Sequence, residues 1–325
     1  IKEVPVFAIE ELSPGIGGCA PSLQCEPNDN QIACMLLTSG TTGNPKIAQI
    51  SVQNIIESCK SWDARISFKK DDIYLNCLPL HHIGGLAVLI RALMFGFTVN
   101  LINQFQAKIV LKTIQNHPVT IISLVPTMLK RILDLDGGLK ALQSLRWILL
   151  GGGPSPEYLL DICIKEKLNI VKVYGMSETC SGTFGLKLLD EPQHKFYSGR
   201  PFPGTKVWIE NDEIHISGPM VMKGYVGERD TKGIHNSHDL GRLDDDNLLF
   251  LHIRRKDLIV SGGENINPCE DGTTNCDEFL LLDECNVCGG TGIPEGDCDC
   301  EGNVEDCAGV CGGDSLEDEC GVCDG

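Results

Sequence analysis

The sequence predicts an α/β protein, a sheet of parallel strands with helices on its faces, on three observations. Short apolar runs lead into loops and then into helical patterns, and this order recurs along the chain. Glycine-rich loops fall at the carboxyl ends of those runs, where sheets of this class bind ligands. After about residue 200 the pattern changes to alternating runs, which predicts a smaller β-rich unit following the main sheet.

Taken in order, residues 32–37 (IACMLL) read as a buried strand. Residues 86–99 are apolar but interrupted by Arg91 and Gly96, which predicts a buried helix and strand and no membrane span. Residues 120–125 form a β-rich run, and Pro126 opens a helix whose spacing continues through 128–133. Residues 145–150 form another buried strand that runs into Gly151, Gly152, Gly153 and Pro154. Ser155 is expected to cap the next helix, with Pro156 at its first position and Glu157 in its first turn. A short strand at 170–173 ends at Tyr174 and Gly175. Residues 206–210 and 213–217 alternate about Asn211 and Asp212, a hairpin signature.

Composition divides the chain in two. Its 325 residues allow two domains or more. Residues 269–325 hold 17 of the 45 acidic residues, ten of the 17 cysteines and no Lys or Arg. Residues 1–268 are therefore almost neutral, and nearly all of the net charge of −18 belongs to the tail. Neither part is basic, which argues against a nucleic-acid partner. The chain begins at Ile1 with no basic-then-apolar leader and no Met, so no signal peptide is expected and a fragment is.

The segment TSGTTGNPK at 38–46 carries the most chemistry. Gly40 and Gly43 let the backbone approach a ligand closely. Successive amides with the hydroxyls of Thr38, Ser39, Thr41 and Thr42 suit an anion, and Lys46 adds a movable positive charge. An ordinary Gly/Thr-rich turn after a strand has a similar composition, but the closing Pro45-Lys46 completes a pattern. The spacing is not that of a Walker A loop.

This segment resembles the phosphate loop of the adenylate-forming enzymes, the acyl-CoA synthetase and luciferase-like superfamily. Five further segments resemble motifs of that superfamily in its order: LPLHHIGGL at 78–86 (acyl pocket, with His82 on the motif histidine), LLGGGPSP at 149–156 (adenine loop), YGMSET at 174–179, HDLGRLDDDN at 238–247 (the TGD segment) and RRKDLIVSGGENINP at 254–268 (hinge and glycine loop). The resemblance spans residues 30–268. It implies the large domain of the adenylate-forming fold, truncated at its start, over 1–255, the hinge and the beginning of a C-terminal subdomain over 256–268, and an acidic Cys-rich repeat tail over 269–325.

The resemblance implies activation of a small-molecule carboxylic acid by ATP with Mg²⁺, followed by transfer to coenzyme A. Such chemistry asks a protein to hold anions together, neutralise charge and exclude water. On this basis Thr38, Ser39, Gly40, Thr41, Thr42, Gly43 and Lys46 are expected at the β- and γ-phosphates. Gly151, Gly152 and Gly153 are expected along adenine, with Tyr174 stacked on it. Glu178 would hold Mg²⁺, Thr179 would donate to the α-phosphate, and Asp239 would accept the ribose hydroxyls. Arg254 would reach ribose and phosphates, and Lys256 marks the hinge. His82 suits the acyl pocket, although a histidine in such a segment is often simply packed. Ile83, Leu86 and Phe184 are expected to line the pocket; Asp244 to Asp246 read as a solvated turn. Within the superfamily four of the segments look most like the o-succinylbenzoate–CoA ligases of menaquinone biosynthesis, while a general acyl- or aryl-CoA synthetase shares most of them.

Three positions depart from the superfamily pattern: Ile47, His238 and Ile253 stand where glycine is usual, with Ser237 for threonine beside His238. Each would cost about 1–3 kcal/mol if its backbone were left-handed. Only 37 residues precede Thr38, against roughly a hundred in the superfamily, a large part of a normal domain.

The tail carries variants of one unit at 283–290, 306–314 and 318–325. Short, Cys-dense, core-poor repeats need staples. They resemble cysteine-rich repeats of secreted bacterial proteins, and disulfides, zinc on the CxxC pairs or weak Ca²⁺ binding are all open. A cytoplasmic ligase body and a tail of extracellular type want different redox compartments, which suggests the joining of unrelated pieces. A secreted binding module carried by the tail and a nucleotide-binding pseudoenzyme are the rival classes. No Lys or Arg follows Lys256, so the superfamily's bridging lysine is missing from this sequence and little complete ligation is expected. Assay of thioester formation from acid, ATP and coenzyme A checks this; turnover at a normal enzyme rate of about 1 s⁻¹ or more refutes it.

Overall fold

The computed structural model describes residues 29–38 and 46–251, with the backbone of two short strands at 259–261 and 264–266. The expected roles of Ser39, Gly40, Thr41, Thr42, Gly43, Arg254, Lys256, Ile253 and the Cys-rich tail lie outside the described residues.

In chain order the elements are β1 (Ile32–Thr38), β2 (Lys46–Ser51), α1 (Val52–Ile66), β3 (Ile73–Asn76), α2 (Ile83–Phe95), β4 (Thr98–Leu101), α3 (Ala107–Asn116), β5 (Ile121–Leu124), α4 (Pro126–Leu133), α5 (Gly138–Gln143), β6 (Trp147–Leu150), α6 (Glu157–Lys165) and β7 (Ile170–Met176). A 3-10 turn, Ser177–Thr179, then leads to β8 (Ser181–Lys187), and a second, Pro192–His194, precedes β9 (Arg200–Pro201). The rest is β10 (Lys206–Glu210), β11 (Glu213–Ser217), β12 (Gly224–Tyr225), β13 (Ile234–Leu243), β14 (Leu249–Leu251), β15 (Ile259–Ser261) and β16 (Glu264–Ile266).

A seven-stranded sheet in the order β4-β3-β5-β6-β7-β8-β9 forms the centre. Its first five strands are parallel; β8 and β9 join antiparallel. The inner strands are covered on both faces, which is why β5 and β6 read as nearly continuous apolar runs rather than alternating ones. Leu75, Ile122, Ile148 and Ile170 face a core completed by α3, α4, α5 and α6. Their neighbours Tyr74, Ile121, Leu149 and Val171 face the opposite core, closed by Trp62 and Ile66 of α1 and Val88 of α2. The predicted turn at Asn211-Asp212 joins β10 to β11, with both residues left-handed at φ 53° and 63°, as a two-residue hairpin of this twist requires.

Two local expectations are corrected. Residues 32–37 are not a buried strand: β1 is the edge of a three-stranded antiparallel sheet, order β1-β2-β12, so its side chains alternate and Met35 and Leu37 are exposed while Leu36 is buried. Ser155 does not cap α6; the helix begins at Glu157 behind an extended Pro156, with no side-chain cap.

The start of α1 ties the sheets together. Ser51 and Asn54 form a reciprocal capping box, in which Ser51 Oγ accepts from the Asn54 N–H (3.2 Å) and Asn54 Oδ1 accepts from the Ser51 N–H (2.9 Å). The Asn54 amide also donates to the carbonyls of Pro219 and Val221, both at 2.7 Å, and so anchors the approach to β12. At the opposite, amino edge of the central sheet Asp72 is only 2 % exposed and receives Arg146 on both oxygens, at 3.1 and 2.5 Å. Removing one partner strands the other in a low-dielectric site. Asp72→Ala is expected to destabilise the fold by about 3 kcal/mol, measured by urea denaturation.

Candidate active site

The carboxyl ends of β3, β5, β6 and β7 open into one cavity of about 800 Å³. A parallel sheet delivers these ends to the same edge, so loops that are distant in sequence meet there. Leu78 and Pro79 follow β3, Val125 follows β5, and Gly151 and Gly152 follow β6. Gly152 holds φ +77°, a left-handed turn that a side chain resists. At Gly175 a Cβ would lie 2.1 Å from the Ser181 carbonyl oxygen, so only glycine lets β7 and β8 meet this closely at the cavity rim.

Of the residues expected from sequence, Thr38, Lys46, His82, Gly151, Gly152, Glu178 and Asp239 line this cavity. Thr38 and Lys46 face each other across the β1–β2 ladder. The Lys46 ammonium lies 3.1 Å from Glu228 Oε1 and 4.6 Å from the centre of the Tyr225 ring. His82 sits in extended backbone immediately before α2, its ring 4.2 Å from that of His81.

Glu178 projects from the 3-10 turn and is 9 % exposed. Thr179 holds that turn, its hydroxyl accepting from the Met176 N–H (3.1 Å) and donating to the Ser181 carbonyl (2.9 Å). Thr179 is fully buried and is not in the cavity wall; neither is Gly153. Glu178 Oε1 accepts the Tyr225 hydroxyl at 2.8 Å. Burial, with the negative charge of Glu178 beside it, pushes the Tyr225 phenol well above its ordinary range and keeps it a donor.

Three expected lining residues lie elsewhere: Tyr174, Phe184 and Leu86. Tyr174 is buried in the core of the β10–β14 unit, tilted on Phe184 at 5.6 Å, and does not present its ring in the wall. Its hydroxyl donates to Asp239 Oδ2 at 2.7 Å, so it serves the carboxylate expected at ribose. Phe184 is fully buried beneath it, and Leu86 packs into the core between α1 and α2; of the three apolar residues expected in the pocket, only Ile83 lines it. All three placements are set by neighbouring strands and helices that a linear reading does not supply.

Among the lining residues that the sequence did not single out are Arg91, Tyr225 and His235. Arg91 on α2 is 2 % exposed. Its guanidinium lies 4.2 Å over Trp62 and donates to Ser181 Oγ at 2.6 Å. Among the described residues no carboxylate pairs with it, and burial lowers its pKa. The one available signal was a lone arginine inside an otherwise apolar helix. Burial likewise lowers the pKa of His235, while Glu178 acts to raise it.

The glycine substitutions separate. Ile47 lies in the regular extended ladder of β2 opposite Leu37 and carries no left-handed strain. His238 does adopt φ +57°, next to Asp239. Its N–H is held by Asn236 Oδ1 (2.8 Å) and its ring by Glu213 (3.2 Å). His238→Gly is expected to stabilise the fold by about 1 kcal/mol, read as a raised urea midpoint with unchanged slope.

Comparison with known proteins finds relatives of one family. The profile of the family described as AMP-binding enzyme matches residues 5–226. The 2-succinylbenzoate–CoA ligase of Bacillus licheniformis is 38 % identical over 303 residues, covering 87 % of this chain and 61 % of that protein. The Bacillus cereus enzyme of the same name is 34 % identical over 285 residues, covering 83 % and 59 %. The chain thus spans about three fifths of the length of these relatives. The Bacillus subtilis o-succinylbenzoate coenzyme A synthetase in complex with ATP and magnesium ion superposes with a TM-score of 0.66 at 35 % identity, over 78 % of this chain and 56 % of that one. A Mycobacterium tuberculosis fatty acyl CoA synthetase gives 0.66 at 27 % identity, over 76 % and 52 %. With a profile that covers most of its length and motif residues gathered around one cavity, the chain belongs to the AMP-binding enzyme family.

Proposed function

We propose that this chain is the nucleotide-binding body of an ATP-dependent acid–CoA ligase whose acid is o-succinylbenzoate. The carrying observation is the convergence of residues from five separate sequence segments on a single cavity. In the reaction a carboxylate oxygen attacks the α-phosphorus of ATP, the bond to the bridging oxygen breaks, and pyrophosphate leaves. The thiol of coenzyme A then attacks the acyl carbon and AMP departs.

Lys46 would neutralise charge on the phosphates, with residues 39–45 of the same sequence motif as further donors, and Asp239, oriented by Tyr174, would accept the ribose hydroxyls. Gly151 and Gly152 leave room for adenine along their backbone. Glu178 offers a lone carboxylate, which suits Mg²⁺, an ion that takes one or two carboxylates and fills its shell with phosphate oxygens. The ion would neutralise charge on the phosphates. No three His, Cys, Asp or Glu side chains cluster as a metal cage among the described residues, in keeping with a metal brought by its nucleotide. His82 and Ile83 would line the acyl pocket.

Arg91 favours the succinylbenzoate choice over a fatty acid. O-succinylbenzoate is a dicarboxylate, so one carboxyl is activated while the other stays ionised. A buried guanidinium in the cavity wall, lacking a carboxylate among the described residues, suits that second charge. Residues 1–255 would form the large domain and 256–268 the hinge. The thiols of Cys34, Cys59, Cys77, Cys163 and Cys180 are free, and burial pushes Cys77, Cys163 and Cys180 up to about 12.

The test uses non-reactive acyl-sulfamoyl adenosines that mimic the mixed anhydride. The o-succinylbenzoyl compound is expected to bind about tenfold or more tighter than an octanoyl compound by calorimetry, and Arg91→Met to abolish the difference. Equal affinities in the unaltered chain would remove the substrate assignment; no binding of either would remove the ligase assignment.

A further inference from the structure

Tyr225 touches both charged groups that the nucleotide phosphates would meet. Its strand β12 pairs with β2, Tyr225 opposite Ala48, which sets the ring beside Lys46 two residues earlier in β2. The ring carries the Lys46 ammonium at 4.6 Å and the hydroxyl donates to Glu178 Oε1 at 2.8 Å. Three residues on, Glu228 takes the same ammonium at 3.1 Å. Lys46, Glu178, Tyr225 and Glu228 all line the cavity.

We propose that Tyr225 is a positioning residue that sets Glu178 and Lys46 relative to one another, while Glu228 occupies Lys46 as an internal stand-in for a nucleotide phosphate. The proposal rests on the adenylation reading given above. Among the described residues Tyr225 is the only side chain that donates to Glu178, and it uses one carboxylate oxygen. The other oxygen is thereby turned to a fixed direction for a phosphate-bound divalent cation. The Lys46–Glu228 pair is half exposed and weak, so a polyanion displaces it readily, whereas the aromatic face keeps the ammonium in place when Glu228 lets go.

Two variants separate these parts. Tyr225→Phe keeps the ring and removes the hydroxyl; Glu228→Gln keeps the size and removes the charge. ATP is titrated by calorimetry into each folded variant and the unaltered chain, once in EDTA and once in MgCl₂. For Tyr225→Phe, affinity in EDTA is expected to stay within about twofold, while the gain from magnesium shrinks about tenfold, the value of one hydrogen bond to a charged group. For Glu228→Gln, affinity in EDTA is expected to rise about threefold, more at low salt, with the magnesium gain unchanged. The positioning role is overturned if Tyr225→Phe retains the full magnesium gain or weakens both conditions equally. The stand-in role is overturned if Glu228→Gln leaves the EDTA affinity unchanged. An unaltered chain that binds no ATP in either condition overturns the adenylation reading and this inference together; normal binding with an indifferent Tyr225→Phe overturns this inference alone.

Discussion

The site depends on one constraint, the common direction of β3, β5, β6 and β7. Parallel pairing in register brings four carboxyl ends to the same edge, and every loop that leaves them is forced into the same volume. The antiparallel β8 then turns the chain back, and its close approach to β7 at Gly175 pins the Glu178 turn against the rim. Ser181, just past that turn, is bonded by both Trp62 and Arg91, so α1 and α2 are fixed to the same point. Chemistry-bearing groups thus sit on elements whose positions are set by buried strands rather than by the loops themselves.

Much of this was legible in the sequence because strands covered on both faces leave long apolar runs and because glycine marks where they end. The runs at 120–125 and 145–150, the helix opened by Pro126 and the hairpin at Asn211-Asp212 all stand where their patterns put them. What the pattern could not supply was which side a residue faces and what crosses over it. The run at 32–37 looks the same as a core strand until its position at a sheet edge is known. Tyr174 and Phe184 lie near a glycine-rich motif, yet β10, β11 and β14 bury both. Arg91 interrupts the apolar run of a helix expected to be buried; only Trp62 and Ser181, from elements remote in sequence, make it part of the wall.

The departures from the superfamily pattern also sort themselves by backbone and not by residue type. Isoleucine at 47 is harmless because the strand needs an extended residue there. Histidine at 238 occupies a conformation that suits glycine better, and Asn236 and Glu213 hold it in place. The strained residue adjoins Asp239, so the bend that aims this carboxylate inward is maintained by side-chain bonds where glycine would adopt it freely.

Trp62 lies in the cavity wall with a guanidinium on its face and its indole N–H bound to Ser181, whereas Trp147 and Trp208 lie away from it. An occupant that draws on Arg91 or displaces water here alters the field around a single indole. The protein therefore carries its own optical gauge of site occupancy, one that needs no label and no turnover to be read.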